Sequence, residues 1–196
     1  MSASTSGSGR PDVGLPSPWV VRFAPLVAPG ARVLDLACGR GRHARWFASR
    51  GCRVQAVDRD VEALASMAGV PGIDTSACDL ESGAWPLPGE RFDAIVVTHY
   101  LHPPLFPDLL AALNDDGALL YETFARGNEA HGRPTNPAFL LMPRELLRVV
   151  EGRLEVVAFE EGRVDEGGRV AVVQRLAAVG ARRAWPQGLP SAGRMR

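Results

Sequence analysis

The chain has 196 residues, 46% of them hydrophobic and 22% charged, which is enough length and apolar content for one soluble domain with a sizeable core. Its 22 basic and 22 acidic residues cancel, which argues against a general attraction to nucleic acid or to acidic membranes. Every basic residue is an arginine, and the absence of lysine excludes a P-loop lysine, a Schiff-base lysine and the Tyr-Lys pair of short-chain dehydrogenases.

Residues 1–17 are rich in Ser, Gly and Pro and are expected to form a disordered lead-in. Ser17-Pro18-Trp19 then reads as a helix start, with Val20, Val21, Phe23 and Leu26 available to a core. A first strand is expected near 31–37, a helix over Arg42–Ser49 closed by Gly51, and a second strand over Arg53–Asp58. A second helix over Val61–Ala68 and a weaker strand over Ile73–Asp79 follow. Phe92–Thr98 is apolar nearly throughout, the mark of a strand buried on both faces. Phe106–Leu113 reads as a helix, Asp116-Gly117 as a turn, and Ala118–Phe124 as a fifth strand. After a long irregular stretch come a helix over Pro143–Val150 and an antiparallel hairpin of Leu154–Glu161 with Arg169–Ala177. The alternation predicts an α/β fold: a doubly wound, seven-stranded, mostly parallel sheet ending in that hairpin, in one domain over 18–180 with a frayed tail over 181–196.

Cys38, Cys52 and Cys78 have neither a metal spacing nor a disulfide framework and read as buried small hydrophobes, so no metal is expected. No apolar run approaches a membrane span, and the start lacks the order of a signal peptide, so a cytoplasmic location is expected.

The informative stretch is Val33-Leu34-Asp35-Leu36-Ala37-Cys38-Gly39-Arg40-Gly41-Arg42-His43-Ala44, a strand, a Gly-x-Gly turn and a helix start. Glycines there let a ligand lie on the backbone, and the pattern alone fits dinucleotide binding equally well. Asp58 ends the second strand 17 residues beyond Gly41, where a carboxylate meets a ribose diol in either kind of ligand. Asp35 lies four residues before the first glycine, where a NAD-type strand usually stays apolar.

With Ala77-Cys78-Asp79-Leu80, this stretch resembles the class I S-adenosylmethionine-dependent methyltransferases over about residues 30–177. The resemblance implies a Rossmann-like methyltransferase fold with S-adenosyl-L-methionine as cofactor. It implies that Asp35, Ala37, Cys38, Gly39, Arg40 and Gly41 face the methionine end, Asp58 and Arg59 the ribose, and Asp79 and Leu80 the adenine. It also implies that the end of the fourth strand, at Thr98, faces the sulfonium. His99, Tyr100 and His102 are the candidate catalytic groups there, against the alternative that each only packs or hydrogen-bonds. Tyr121–Pro137, followed by Phe139–Leu146, is similar to the small tellurite-resistance-type bacterial methyltransferases. Glu122, Arg126, Asn128, His131 and Arg133 are the candidate acceptor contacts, with Arg126, His131 and Arg133 suited to an anionic acceptor, against the alternative of a solvated loop held by Asn and Pro turns; the resemblance implies a thiol or a chalcogen oxyanion as acceptor. A non-catalytic S-adenosylmethionine-binding protein and a NAD-dependent oxidoreductase are the alternatives. No nucleic-acid or membrane partner is expected, because the charge is balanced and the fourth strand lacks the Asn/Asp-Pro-Pro-Tyr signature.

Overall fold

A computed structural model describes residues 13–166, 168–184 and 188. Seven strands form one sheet in the order β3-β2-β1-β4-β5-β7-β6. They are β1 (Arg32–Leu36), β2 (Arg53–Asp58), β3 (Ile73–Ala77), β4 (Phe92–Thr98), β5 (Leu113–Phe124), β6 (Leu154–Glu166) and β7 (Arg169–Gly180). The five strands β3 to β5 run parallel, and β7 is the single reversed strand, paired antiparallel with both β5 and β6. This is the architecture expected from the alternation of elements.

Because side chains alternate across a strand, each strand feeds two cores. On one face Val33, Val54, Val96, Leu120 and Val179 pack beneath α1 (Pro18–Phe23), α2 (Arg42–Ser49) and α3 (Val61–Ala65). On the other Leu34, Ile95, Leu119 and Leu176 pack beneath α4 (Phe106–Ala111) and α5 (Glu145–Val150). Parallel β4 is fully buried from Ala94 to Val97, as its apolar sequence requires.

Several boundaries differ from the sequence expectation. The helices over 61–68, 106–113 and 143–150 are shorter at one end or the other, and β3 stops at Ala77. β5 starts at Leu113 and carries Asp116-Gly117 within it, because the register to β4 shifts there and Asn114 Nδ2 donates to Asp93 Oδ1 at 2.7 Å. The hairpin is longer, its pairing running on to Glu166 and Arg169. Of the expected lead-in, residues 1–12 lie outside the described residues, whereas Ser17 is buried and accepts from Trp19 N, capping α1. The expected tail is tied down at its start: Arg182 N donates to Asp115 O and Arg183 Nη2 to Leu26 O. Most of the remainder of the tail lies outside the described residues.

Gly41 has φ 74°, and a Cβ there would run into the Met67 side chain. Gly41→Ala should therefore lose about 2–4 kcal/mol, summing left-handed strain and overpacking, measured as a lower midpoint in urea unfolding.

Candidate functional site

The parallel strands all end at one rim of the sheet, and the loops that leave them converge there. Past β1 the chain turns through Ala37 (φ 54°), Gly39 (φ 53°) and Gly41 before entering α2. Asp58, at the end of β2, holds this loop: its Oδ2 accepts Gly39 N at 2.7 Å and its Oδ1 accepts Asp60 N at 2.9 Å. Past β3, Asp79 is exposed and its Oδ1 accepts Glu81 N at 3.0 Å. A cavity of 130 Å³ lies between these loops, lined by Ala37, Asp58, Arg59, Cys78, Asp79, Leu80, Glu81 and Tyr100. Three carboxylates beside the apolar side chains of Ala37 and Leu80 suit a nucleoside with hydroxyl and amine donors. The Tyr100 hydroxyl is buried beside them with no hydrogen-bond partner among the described residues, a polar group that a bound ligand would satisfy. Burial, then Glu81 and Asp79, push its pKa well above the usual phenol range, so it stays protonated. These groups fit S-adenosylmethionine.

Asp35 sits differently. It is 1% exposed, and its Oδ2 accepts Ala44 N at 2.8 Å, so it fastens the first turn of α2 from below. Burial raises its pKa to about 7, against opposing contributions from the Ala44 hydrogen bond and the Arg42 charge. Cys38 is buried beside it, and burial followed by the charges of Asp35 and Asp58 pushes its thiol far above the ordinary range.

His99 follows β4 with φ 56°, and Tyr100 follows at once, so consecutive side chains enter different cavities. His99 lines a larger cavity of 650 Å³ together with Arg42, Glu122, His131, Arg133, Arg169 and Arg175. The His99 ring stacks on Phe124 with centroids 5.0 Å apart, Nε2 lies 3.8 Å from Glu122 Oε1, and Nδ1 lies 3.5 Å from Arg42 Nη2. A carboxylate beside Nε2 and a guanidinium beside Nδ1 place the proton of the neutral ring on Nε2 and the lone pair on Nδ1.

A polar row runs across the sheet, and two of its members, Glu122 and Arg175, line this cavity. Register aligns Thr98 with Glu122, Glu122 with Arg175, and Arg175 with Glu160. Glu122 Oε2 accepts from Ser17 Oγ at 2.9 Å and lies 3.1 Å from Arg175 Nε. His43, 1% exposed, takes Ser17 N on its Nε2 at 3.1 Å, which leaves its Nδ1 to donate to Thr98 Oγ1 at 3.4 Å. Burial pulls the pKa of His43 down to about 3, helped by the charges of Arg42 and His99.

The candidate residues are thus divided between two cavities, with some outside both. Ala37, Asp58, Arg59, Asp79, Leu80 and Tyr100 gather in the smaller cavity, and His99, Glu122, Asn128, His131 and Arg133 in the larger. Asn128 is 1% exposed, its amide spent on Pro134 O and Val172 N, so it builds the wall. His102 and Arg126 line neither cavity; His102 caps a 3₁₀ turn through its carbonyl, and Arg126 is exposed. Arg42, Arg169 and Arg175 escaped the sequence reading. The available signal was parity: positions 169 and 175 are an even number apart and share one face of a strand.

No described helix is long and apolar enough to cross a membrane, and no metal-binding cluster occurs among the described residues. Residues 33–117 match the family model described as a methyltransferase domain. No curated protein matches the chain. Among solved structures, TehB from Haemophilus influenzae aligns with a TM-score of 0.70 at 20% identity, over 82% of this chain and 61% of that one. The chain therefore spans 61% of the length of that protein. An S-adenosylmethionine-dependent methyltransferase from Mesorhizobium loti aligns with a TM-score of 0.63 at 18% identity, over 79% of this chain and 94% of that one. A glycopeptide N-methyltransferase, MtfA, complexed with S-adenosylhomocysteine aligns at 0.57 and 20% identity, over 82% of this chain and 88% of that one. The fold is that of the S-adenosylmethionine-dependent methyltransferases. The match over residues 33–117 is to a methyltransferase domain, and the residues lining the smaller cavity are of the kind that would hold S-adenosylmethionine.

The two buried titrations act in opposite directions. The raised pKa of Asp35 contributes stability below pH 3.8 that is lost as pH rises to about 7. The lowered pKa of His43 contributes stability above pH 6.5 that is lost as pH falls toward about 3. Wild-type stability should therefore be nearly flat between these limits. Asp35→Asn should leave only the His43 slope, a gain of about 1.4 kcal/mol per pH unit with rising pH, read from urea midpoints at a series of pH values.

Proposed function

We propose that this protein transfers the methyl group of S-adenosylmethionine to a small-molecule acceptor, either a thiol or a chalcogen oxyanion. The observation that carries the reading is the division of the β4 end. Tyr100 faces the cavity with the carboxylates of Asp58 and Asp79, and His99, the residue before it, faces the cavity with the arginines. Donor and acceptor would then meet across one strand end, and alignment would supply much of the rate.

When bound, S-adenosylmethionine supplies a methyl carbon on a positively charged sulfur. Asp58 is assigned to the ribose diol, each of its oxygens keeping lone pairs beyond its backbone bond. Asp79 and Leu80 are assigned to adenine, and the loop Ala37–Gly41 with Thr98 to the methionine end. Asp35 is assigned an indirect part: with one oxygen on Ala44 N, it sets the loop and the start of α2. An acceptor that arrives as an oxyanion needs no base. An acceptor that arrives as a thiol gives its proton to His99 Nδ1 as the new sulfur–carbon bond forms, and the departing thioether keeps the electron pair of the bond that breaks. Arg42, Arg133 and Arg169 attract the anion, and Glu122 is matched by Arg175.

Calorimetry with S-adenosylhomocysteine tests the donor half. The wild type should bind it, and Asp58→Ala should weaken binding about 100-fold, the loss of two hydrogen bonds to a carboxylate. NADH binding in its place, or an unchanged affinity in a variant shown to be folded, would overturn the reading. His99→Gln should keep that affinity and lower kcat for a thiol acceptor about 10²-fold, while leaving an oxyanion acceptor little affected.

A further inference from the structure

We propose that the acceptor is an organic acid with an apolar body rather than a bare inorganic oxyanion, and that Arg133 and Arg169 read its acidic group. This deepens the methyltransferase reading and rests on it for the transfer step. The first ground is size. The acceptor cavity measures 650 Å³, within the range of pockets that enclose ligands of drug size, whereas an oxyanion of a few atoms would leave most of it to water.

The second ground is the lining. Past the Phe124–Val173 pair β5 ends, and β6 and β7 continue as a two-stranded ribbon over the cavity. The ribbon contributes Val164, Val170 and Ala171 as apolar wall, and Phe124 faces them from the end of β5. A site shaped for a small hydrated anion gains nothing from such a wall. An aliphatic or aromatic body would bury apolar surface against it.

The third ground is charge. Among the described lining residues the one carboxylate, Glu122, already has Arg175 at 3.1 Å. Arg133 from the 125–140 loop and Arg169 from the ribbon form no ion pair with a described side chain, Arg169 standing opposite Glu166 in the hairpin register, and both are exposed at the cavity mouth. They lie on different elements from His99, which stands at the end of β4. That separation suits a molecule whose acidic group and nucleophile are at opposite ends. Guanidinium groups are suited to carboxylates and sulfonates through paired N–H donors.

The probe is 4-mercaptobenzoate, which has a carboxylate, an apolar ring and a thiol, compared with its methyl ester and with selenite. Calorimetric titrations use the full chain with and without S-adenosylhomocysteine, and tritium transfer from labelled S-adenosylmethionine follows turnover. The acid should bind at least tenfold more tightly than the ester, and it should be methylated at the thiol with a lower KM than selenite shows as acceptor. Arg169→Gln and Arg133→Gln should each raise KM for the acid about tenfold, with kcat changed less than twofold, and should erase the preference for acid over ester. Equal binding of acid and ester, selenite as the better acceptor, or an acid preference unchanged in both variants would overturn the proposal. The donor titration stands apart: S-adenosylhomocysteine binding without binding of the acid sinks this proposal alone. Arginine-dependent binding of the acid without S-adenosylhomocysteine binding sinks the methyltransferase reading and leaves the cavity's preference standing.

Discussion

The architecture of the larger cavity depends on the buried pair of Glu122 and Arg175. Glu122 is 4% exposed and Arg175 8%, and their strands are placed side by side by the antiparallel pairing of β5 with β7. Taking two charges out of water is costly, and removing either partner from such a pair leaves a penalty of about 3–5 kcal/mol. The surrounding elements answer that demand. Ser17 donates its hydroxyl to Glu122, Glu160 lies 3.7 Å from Arg175, and Arg22 reaches Glu160 at 3.0 Å. The start of α1, the reversed strand and the edge strand are thus tied to one carboxylate. Because that carboxylate also lies beside His99, the pair that orders the wall also fixes the electrostatics of the candidate base.

The end of β4 separates the two halves of the site. Alternation alone would carry the chain onward with its side chains on opposite faces of the sheet. The left-handed residue His99 breaks the extended run, at a cost of about 1–3 kcal/mol for a residue with a Cβ. The backbone is held there by His99 N donating to Glu122 O. The two cavities take their different chemistries from this break, carboxylates and a phenol on one side, guanidinium groups and imidazoles on the other.

Asp58 links structure to binding in another way. Its two oxygens fasten the Gly39 loop and the approach to α3. A ligand diol would therefore meet a carboxylate that is already oriented, and little ordering cost would remain at binding. Asp35 is organised for a different purpose. A carboxyl group beneath α2 that accepts Ala44 N supports the first turn of a helix whose preceding residue, Gly41, has no side chain to cap it.

The alternation of elements, the parallel sheet with one reversed strand, and the acids at the ends of successive strands were legible in the sequence, because hydrophobic period and turn chemistry are local properties. Asp58 could be named from its position at a strand end, whereas Asp79 and His99 were named with the help of the family resemblance. What the chain does past β5 was not legible. The register that sets Thr98, Glu122, Arg175 and Glu160 in a row is a non-local pairing, and a shift of one residue would turn every one of these side chains to the other face. The same register carries Arg169 to the cavity mouth, and it buries Asn128, which composition had grouped with the recognition loop. His43 shows the limit most clearly. In the motif it is one polar residue at the start of a helix, and only the packing of α1 over α2 reveals a buried, neutral imidazole joining Ser17 to Thr98. Local sequence determined which acids stand at the rim of the sheet; tertiary pairing decided which charges line the larger cavity, because cross-strand neighbours are chosen by register and not by spacing along the chain.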